Sequence, residues 1–295
     1  MPELPEILLY INALESRLLG ETLERVRIAS PSLLKTYDPP VSVVHGKPVL
    51  GLRRLGKRIV IDLEDDLHIV IHLMIAGRFQ WKPHNAPVPK KVGQAALDFS
   101  SGTLLLTEAS PKKRAQLYVV RGEEGVQQQN RGGLEPLEAT LEQFAEALVR
   151  ENRTLKRALT DPRLFSGIGN AHSDEILFEA QLSPARLTRK MLPEEIAQLY
   201  EATQRSLRAW TEILQEEAGD DFPGKVTAFH PRMAVHGRYN QPCVRCGAPI
   251  QRIVYATNET NYCARCQTGG KLLADRAFSR LLKDDWPKTL EELEG

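Results

Sequence analysis

Apolar positions along the chain change rhythm twice. In residues 3–19 (ELPEILLYINALESRLL), Ile7, Leu8, Ile11, Leu14 and Leu18 recur at helical spacing. Pro5 falls in the first turn, where a missing N–H costs nothing. From 22 to about 135 the pattern becomes short β runs with turn signals: LERVRIAS, KRIVIDLE, LHIVIHLM, QAALDFSSGTLLLTE and AQLYVVRG. The stretch IVIDLEDDLHIVIHL reads as a hairpin turning at Glu64-Asp65-Asp66. Past Pro136 the rhythm turns helical, over about 140–151, 153–160, 171–181 and 193–217. Thr140 and Gln143 have the spacing of a capping box at the first of these. A linker, DDFPGKVTAFHPRMAVHG, then leads to a cysteine-bearing module, and the chain closes on the acidic KTLEELEG.

The length, 295 residues, exceeds what one small core organises, so two or three domains are expected. A net charge of +1 means that any acidic ligand must be met by a local patch. No apolar run approaches the roughly 18 residues of a membrane span. The N-terminus carries acids in place of a basic leader, so a reducing, cytoplasmic setting is expected.

All four cysteines fall in Cys243-Val-Arg-Cys246 and Cys263-Ala-Arg-Cys266, with 16 residues between the pairs. The intervening stretch reads as two strands and a turn. Two C-x2-C pairs at this spacing suit a closed tetrahedral zinc site, structural because protein fills all four positions. A pair of disulfides or a redox role are the alternatives. Upstream, GIGNAHSDEILFEA places two glycines and Asn170 at a turn between helices. Backbone N–H groups at the start of the second helix, with the Asn170 amide, suit a phosphate. Asn170 could equally be a plain N-cap. Arg153, Lys156, Arg157 and Arg163 just before the turn favour phosphate.

PELPE at 2–6, the Gly-Ile-Gly-Asn turn and the four-cysteine module occur in that order across nearly the whole chain. Together they resemble the formamidopyrimidine-DNA glycosylase / endonuclease VIII family. GGLEPL at 132–137, IVIHLMIAG at 69–77 and VHGRYNQPC before the module agree with it. The resemblance implies an α+β protein: an N-terminal antiparallel β-sandwich with a helix, a helical helix–two-turn–helix domain, and a small β-hairpin zinc finger. The expected boundaries are 1–135, 136–235, 236–285 and an acidic tail at 286–295. It implies a monomer that holds one zinc ion on Cys243, Cys246, Cys263 and Cys266. The implied partner is double-stranded DNA with a damaged base or abasic site, bound in the cleft between the halves, with the protein on the nucleoid when bound.

The chemistry follows from Pro2. Once Met1 is removed, Pro2 presents a secondary amine, and α-amino groups ordinarily titrate at roughly 7.7–8.0. Attack at a sugar C1′ gives a cationic iminium, an electron sink for β-elimination. The resemblance gives Glu3 the proton transfers, Glu6 a supporting place, and Lys57 a phosphate contact or proton donation. It aligns Ile75, Lys113 and Arg114 with side chains that fill the space of an extruded base, and Asn170 with a phosphate contact. Read as a simple helix start, Pro2 and Glu3 would need no such role.

Three departures are visible. The finger tip reads Thr257-Asn258-Glu259-Thr260, with no arginine. The loops HLMIAG and SPKKRAQ carry Ile75, Lys113 and Arg114 where the family has Met and a PRRFG-like run. A family histidine is missing from KKVGQAALDF, where Lys90 and Lys91 could compensate. His68 and His72 read as structural strand residues, and His172 as packing or a weak phosphate contact. Two readings remain: a base-excision glycosylase with lyase activity, or a DNA-damage-binding paralogue with weak or no excision. A zinc-finger regulator is a more distant third.

Overall fold

The computed structural model describes residues 1–255, 258–274 and 287–294, in two compact units. Unit 1 comprises Met1–Arg131 and Trp210–Thr227; unit 2 comprises Gly132–Ala209 and Ala228–Gly295. Thr257 of the expected finger tip lies outside the described residues, as does all of 275–286.

Unit 1 begins with helix α1 (Leu4–Leu18), started by a capping box: Glu3 is the N-cap, and its N–H donates to the Glu6 carboxylate at 2.8 Å. The helix buries Leu4, Ile7, Leu14 and Leu18 against a sheet. Its eight strands are β1 (Thr22–Ile28), β2 (Lys47–Leu55), β3 (Arg58–Leu63), β4 (Leu67–His72), β5 (Gly77–Lys82), β6 (Gly93–Phe99), β7 (Gly102–Glu108) and β8 (Gln116–Arg121). Every pairing is antiparallel, in the order β5-β7-β6-β1-β2-β3-β4-β8. β1 and β2 share only the pairs Thr22–Pro48 and Leu23–Lys47, so two four-stranded halves meet at a corner. One core joins Phe79, Leu97, Phe99 and Leu104 of one half to Ile59, Ile61, Ile69 and Ile71 of the other. The β3–β4 hairpin turns at Asp65 and Asp66, both at positive φ as a tight primed turn requires.

Tyr10 pins α1 to β5. Its hydroxyl accepts the Phe79 N–H at 3.2 Å, and the two rings meet edge-on at 5.3 Å. Burial pushes the Tyr10 hydroxyl up to about 12, so it stays protonated. The returning segment 210–227 brings Phe222 against Tyr10 and Trp81, with Arg17 over the Phe222 ring. On the other face of β3, β4 and β8, Val60, Val70 and Val120 form a smaller cluster with Val126 of α2 (Gly122–Gln127).

Unit 2 holds α3 (Leu141–Val149), α4 (Leu155–Leu159), α5 (Asn170–Glu179) and the first part of α6 (Pro193–Ala218). The Thr140–Gln143 capping box is present, at 3.0 and 3.3 Å. Leu134 explains GGLEPL: it pairs with the turn before α5, donating to Leu164 and accepting from Ser166. A Cβ on Gly133 would lie 2.4 Å from the Pro162 carbonyl oxygen, so only glycine permits that approach. The finger is a β9–β10 hairpin (Ile250–Tyr255, Asn258–Cys263) followed by α7 (Ala264–Thr268).

Candidate active site and nucleic-acid contacts

The start of α1 buries polar groups that a helix end normally leaves in water. Pro2 is buried, and Glu3 and Glu6 are 2% and 1% exposed. Burial lowers the Met1 amine, next to Pro2, below its ordinary 8.0. The carboxylates of Glu3 and Glu6 oppose that shift, while the charges of Arg78 and Lys57 add to it. Lys57 sits at the β2–β3 turn, and its charge, like those of Glu3 and Glu6, acts on the Met1 amine next to Pro2. Arg78, which the sequence reading passed over, joins them.

The two loops expected to fill an emptied base position are neighbours, because Gly77 pairs with Glu108. Ile75, 56% exposed, tips the β4–β5 turn. Arg78 ties that turn, donating to the carbonyls of Ile75 (3.2 Å) and Gly77 (2.6 Å). A Cβ on Gly77 would lie 2.2 Å from the Leu73 carbonyl oxygen, so the turn depends on glycine there. In the β7–β8 loop the buried Glu108 carboxylate accepts the N–H groups of Arg114 (2.9 Å) and Ala115 (3.0 Å). Arg114 projects to solvent. Lys113 does not: its ammonium donates to the carbonyls of Glu108 and of Lys91 in the β5–β6 connection.

The surroundings of His72 go beyond a structural strand position. Its Nδ1 accepts the Met74 N–H at 2.9 Å, which leaves Nε2–H as a donor. Burial, then the charges of Arg58, Lys57 and Arg131, push it down to about 3, so the ring is neutral at physiological pH. Alternation with buried neighbours hid this, since one strand cannot reveal which cations flank it. His68 is structural as expected, with Nδ1 2.6 Å from Asp62.

In unit 2 the N-cap of α5 is Gly169, and Asn170 is the first helical residue. The Asn170 amide donates to the Glu259 carbonyl at 2.9 Å, tying the helical turn to the finger hairpin. Of the cations before the turn, Arg153 pairs with Glu151 and Asp161, and Arg163 also pairs with Asp161. Lys156 is buried, donating to Asp174 and to the Asn170 carbonyl, both at 2.5 Å. Arg157 is exposed, with no ion pair among the described residues. Arg153 is therefore a neutralised structural charge, not an open cation.

Asp174 and Glu175 form a buried hub missed in the sequence. Asp174 accepts from His236 Nδ1 (2.8 Å) and from the Asn261 N–H (3.1 Å). Glu175 accepts three backbone N–H groups, of Ala234, Val235 and His236, at 2.8–2.9 Å. Glu259, which could have repelled phosphate, accepts from the Asn261 amide and lies 3.7 Å from Arg252. Arg252 stacks over Tyr239 and Arg245 over Phe178.

The four finger sulfurs lie within 4.8 Å of one another, two contacts being 3.5 and 4.0 Å. Tetrahedral zinc with sulfur at about 2.3 Å requires sulfurs about 3.8 Å apart, so the residues present fit the ion. Burial and neighbouring sulfurs push the Cys266 thiol up to about 11 and Cys263 higher still, and a cation reverses that by binding thiolates. The finger holds one structural zinc.

A sandwich with buried carboxylates at its N-terminus, a helix–two-turn–helix domain and a four-cysteine finger define a class of DNA-repair-type fold. Models of the formamidopyrimidine-DNA glycosylase N-terminal domain (residues 1–113), its H2TH domain (133–217) and the zinc finger found in FPG and IleRS (240–269) all match. The formamidopyrimidine-DNA glycosylase of Thermus thermophilus is 33% identical over 278 residues, 92% of this chain and 100% of the relative. The crystal structure of the MutM (Fpg) protein from Thermus thermophilus has a TM-score of 0.76 at 32% identity, covering 90% of this chain and 98% of that one. A Lactococcus lactis Fpg (MutM) complex with Fapy-dG-containing DNA has a TM-score of 0.76 at 25% identity, covering 90% and 100%. The chain belongs to the formamidopyrimidine-DNA glycosylase family.

Proposed function

We propose that the protein is a base-excision-repair DNA glycosylase with AP lyase activity, acting on double-stranded DNA that carries a damaged base or an abasic site. Removal of Met1 frees the Pro2 nitrogen as a secondary amine. The damaged nucleotide leaves the stack, because a stacked base hides C1′. The Pro2 lone pair bonds to C1′ as the base departs with the glycosidic electrons, taking a proton from an acid in the site. The sugar ring opens to an iminium. Glu3 then accepts the C2′ proton, and the 3′ phosphate leaves with the C3′–O electrons, cutting the strand. Lys57 holds a phosphate or protonates the opening sugar, and Glu6 fixes the backbone of Glu3. Ile75 and Arg114 occupy the emptied base position, and Asn170 supports a phosphate contact. The finger's zinc holds the fold and takes no step. A cytoplasmic location, on the nucleoid when bound, goes with this reading.

The observation that supports it best is the burial of Pro2 together with the carboxylate-bearing Glu3 and Glu6 beside it. A neutral amine is nucleophilic, and an adjacent carboxylate is the base that elimination needs. Borohydride trapping on an abasic-site duplex tests it. Wild type is expected to give a covalent adduct that Pro2→Gly loses. A binding paralogue, favoured by the finger tip without arginine, predicts tight binding with no adduct from wild type.

A further inference from the structure

A buried cation without a counter-ion is costly unless a ligand supplies one. Arg58 is such a group. It is 8% exposed, its Nε has no hydrogen-bond partner, and no carboxylate among the described residues pairs with it. Arg27, Arg53 and Arg153 of the same chain all have carboxylates. Burial lowers the Arg58 guanidinium from its ordinary range; the Tyr118 phenol opposes that shift and Arg131 adds to it, and no carboxylate is among its causes.

Its neighbours are also donors. Strand register sets Arg58 opposite His72, and His72 opposite Gln116, so all three share one face. The His72 ring offers Nε2–H, because Nδ1 is occupied by the Met74 N–H. The Gln116 carbonyl oxygen is taken by the Tyr118 hydroxyl at 3.0 Å, which leaves its amide N–H groups as donors. Exposed Arg131 acts on both Arg58 and His72. A guanidinium, an imidazole N–H and an amide around a spot with no carboxylate suit a tetrahedral oxyanion.

We propose that Arg58, with His72, Gln116 and Arg131, forms a phosphate-binding pocket that receives a backbone phosphate of the bound DNA strand. The inference rests on the DNA-repair reading above and adds a named cation to it. Arg58 is a binding residue whose charge the fold tolerates because the nucleic acid neutralises it.

The pocket makes two predictions of opposite sign. Arg58→Met removes a buried charge at similar volume, so the melting temperature without DNA should rise by a few degrees. The same variant should bind an abasic-site duplex about tenfold more weakly at physiological salt, with the slope of log K against log salt reduced by about 0.9. Arg58→Lys should retain most of the slope. Arg131→Ala, an exposed change that leaves the fold intact, should also lower it. Inorganic phosphate gives an arm independent of DNA: it should raise the melting temperature of wild type and lose that effect in Arg58→Met. Unchanged slopes in both Arg58→Met and Arg131→Ala, with equal phosphate stabilisation of wild type and Arg58→Met, would overturn the pocket while leaving the repair reading standing. Absent DNA binding by wild type would defeat the repair reading instead, and the phosphate arm would then decide the pocket alone: loss of stabilisation in Arg58→Met supports an oxyanion site, and equal stabilisation overturns it.

Discussion

Single residues carry the unusual electrostatics of unit 1. His72 is held neutral in the fold, at about 3, against 6.5 for a free imidazole. The folded value is the lower one, so between pH 6.5 and 3 the unfolded chain binds the extra proton. Stability therefore rises with pH across that window and is lost as pH falls through it. Buried carboxylates contribute over the same range, so the contrast is with His72→Gln, which cannot take up a proton. Urea unfolding from pH 7 to 4 should show a shallower loss for His72→Gln than for wild type; equal slopes would mean that His72 is not buried neutral. Little of this was legible in the sequence. His72 and His68 occupy like positions in an alternating strand, yet one faces Asp62 and the other Arg58. Partner identity across a sheet is set by register, which local pattern does not encode. Lys113 and Arg153 illustrate the same gap. As letters they are cations; folded, one is spent on loop carbonyls and the other on two carboxylates.

At the scale of elements the sequence was far more informative, because periodicity and caps are local. Helix α1, the β3–β4 hairpin, the β run that forms β6 and β7, the Thr140 capping box and the cysteine hairpin all stand where pattern put them. β2 and β5 escaped it. Pro48 and Gly51 interrupt the first, and GRFQWK is too short and polar to announce the second. The hub on α5 escaped too, because consecutive acids read as a solvated helix face. Glu175 in fact satisfies three backbone N–H groups of the segment leading to the finger. Replacing it with Gln turns one acceptor into a donor facing a buried N–H, at a cost of about 2–3 kcal/mol. Zinc release followed with a metallochromic dye should then occur at lower urea in Glu175→Gln than in wild type. An unchanged midpoint would mean the hub does not anchor the finger.

For the whole molecule, sequence and structure diverge in connectivity. The motifs announced modules in chain order, whereas residues 210–227 return to unit 1 and place Phe222 against Tyr10 and Trp81. Nothing in the local pattern of DDFPGKV specifies those contacts. The net charge of +1 is equally uninformative, since Lys57, Arg58, Arg78 and Arg131 concentrate base in one unit while the chain overall is balanced. No helix among the described residues is long and apolar enough to cross a membrane. What unites the account is the proposal that the prolyl nitrogen, buried beside Glu3, joins covalently to an opened deoxyribose during turnover. The most direct measurement is peptide mass mapping of the borohydride-reduced adduct. The account predicts the sugar remnant on an N-terminal peptide that starts at Pro2 and lacks Met1. A remnant on the peptide carrying Lys57, or an active chain that keeps Met1, would contradict it.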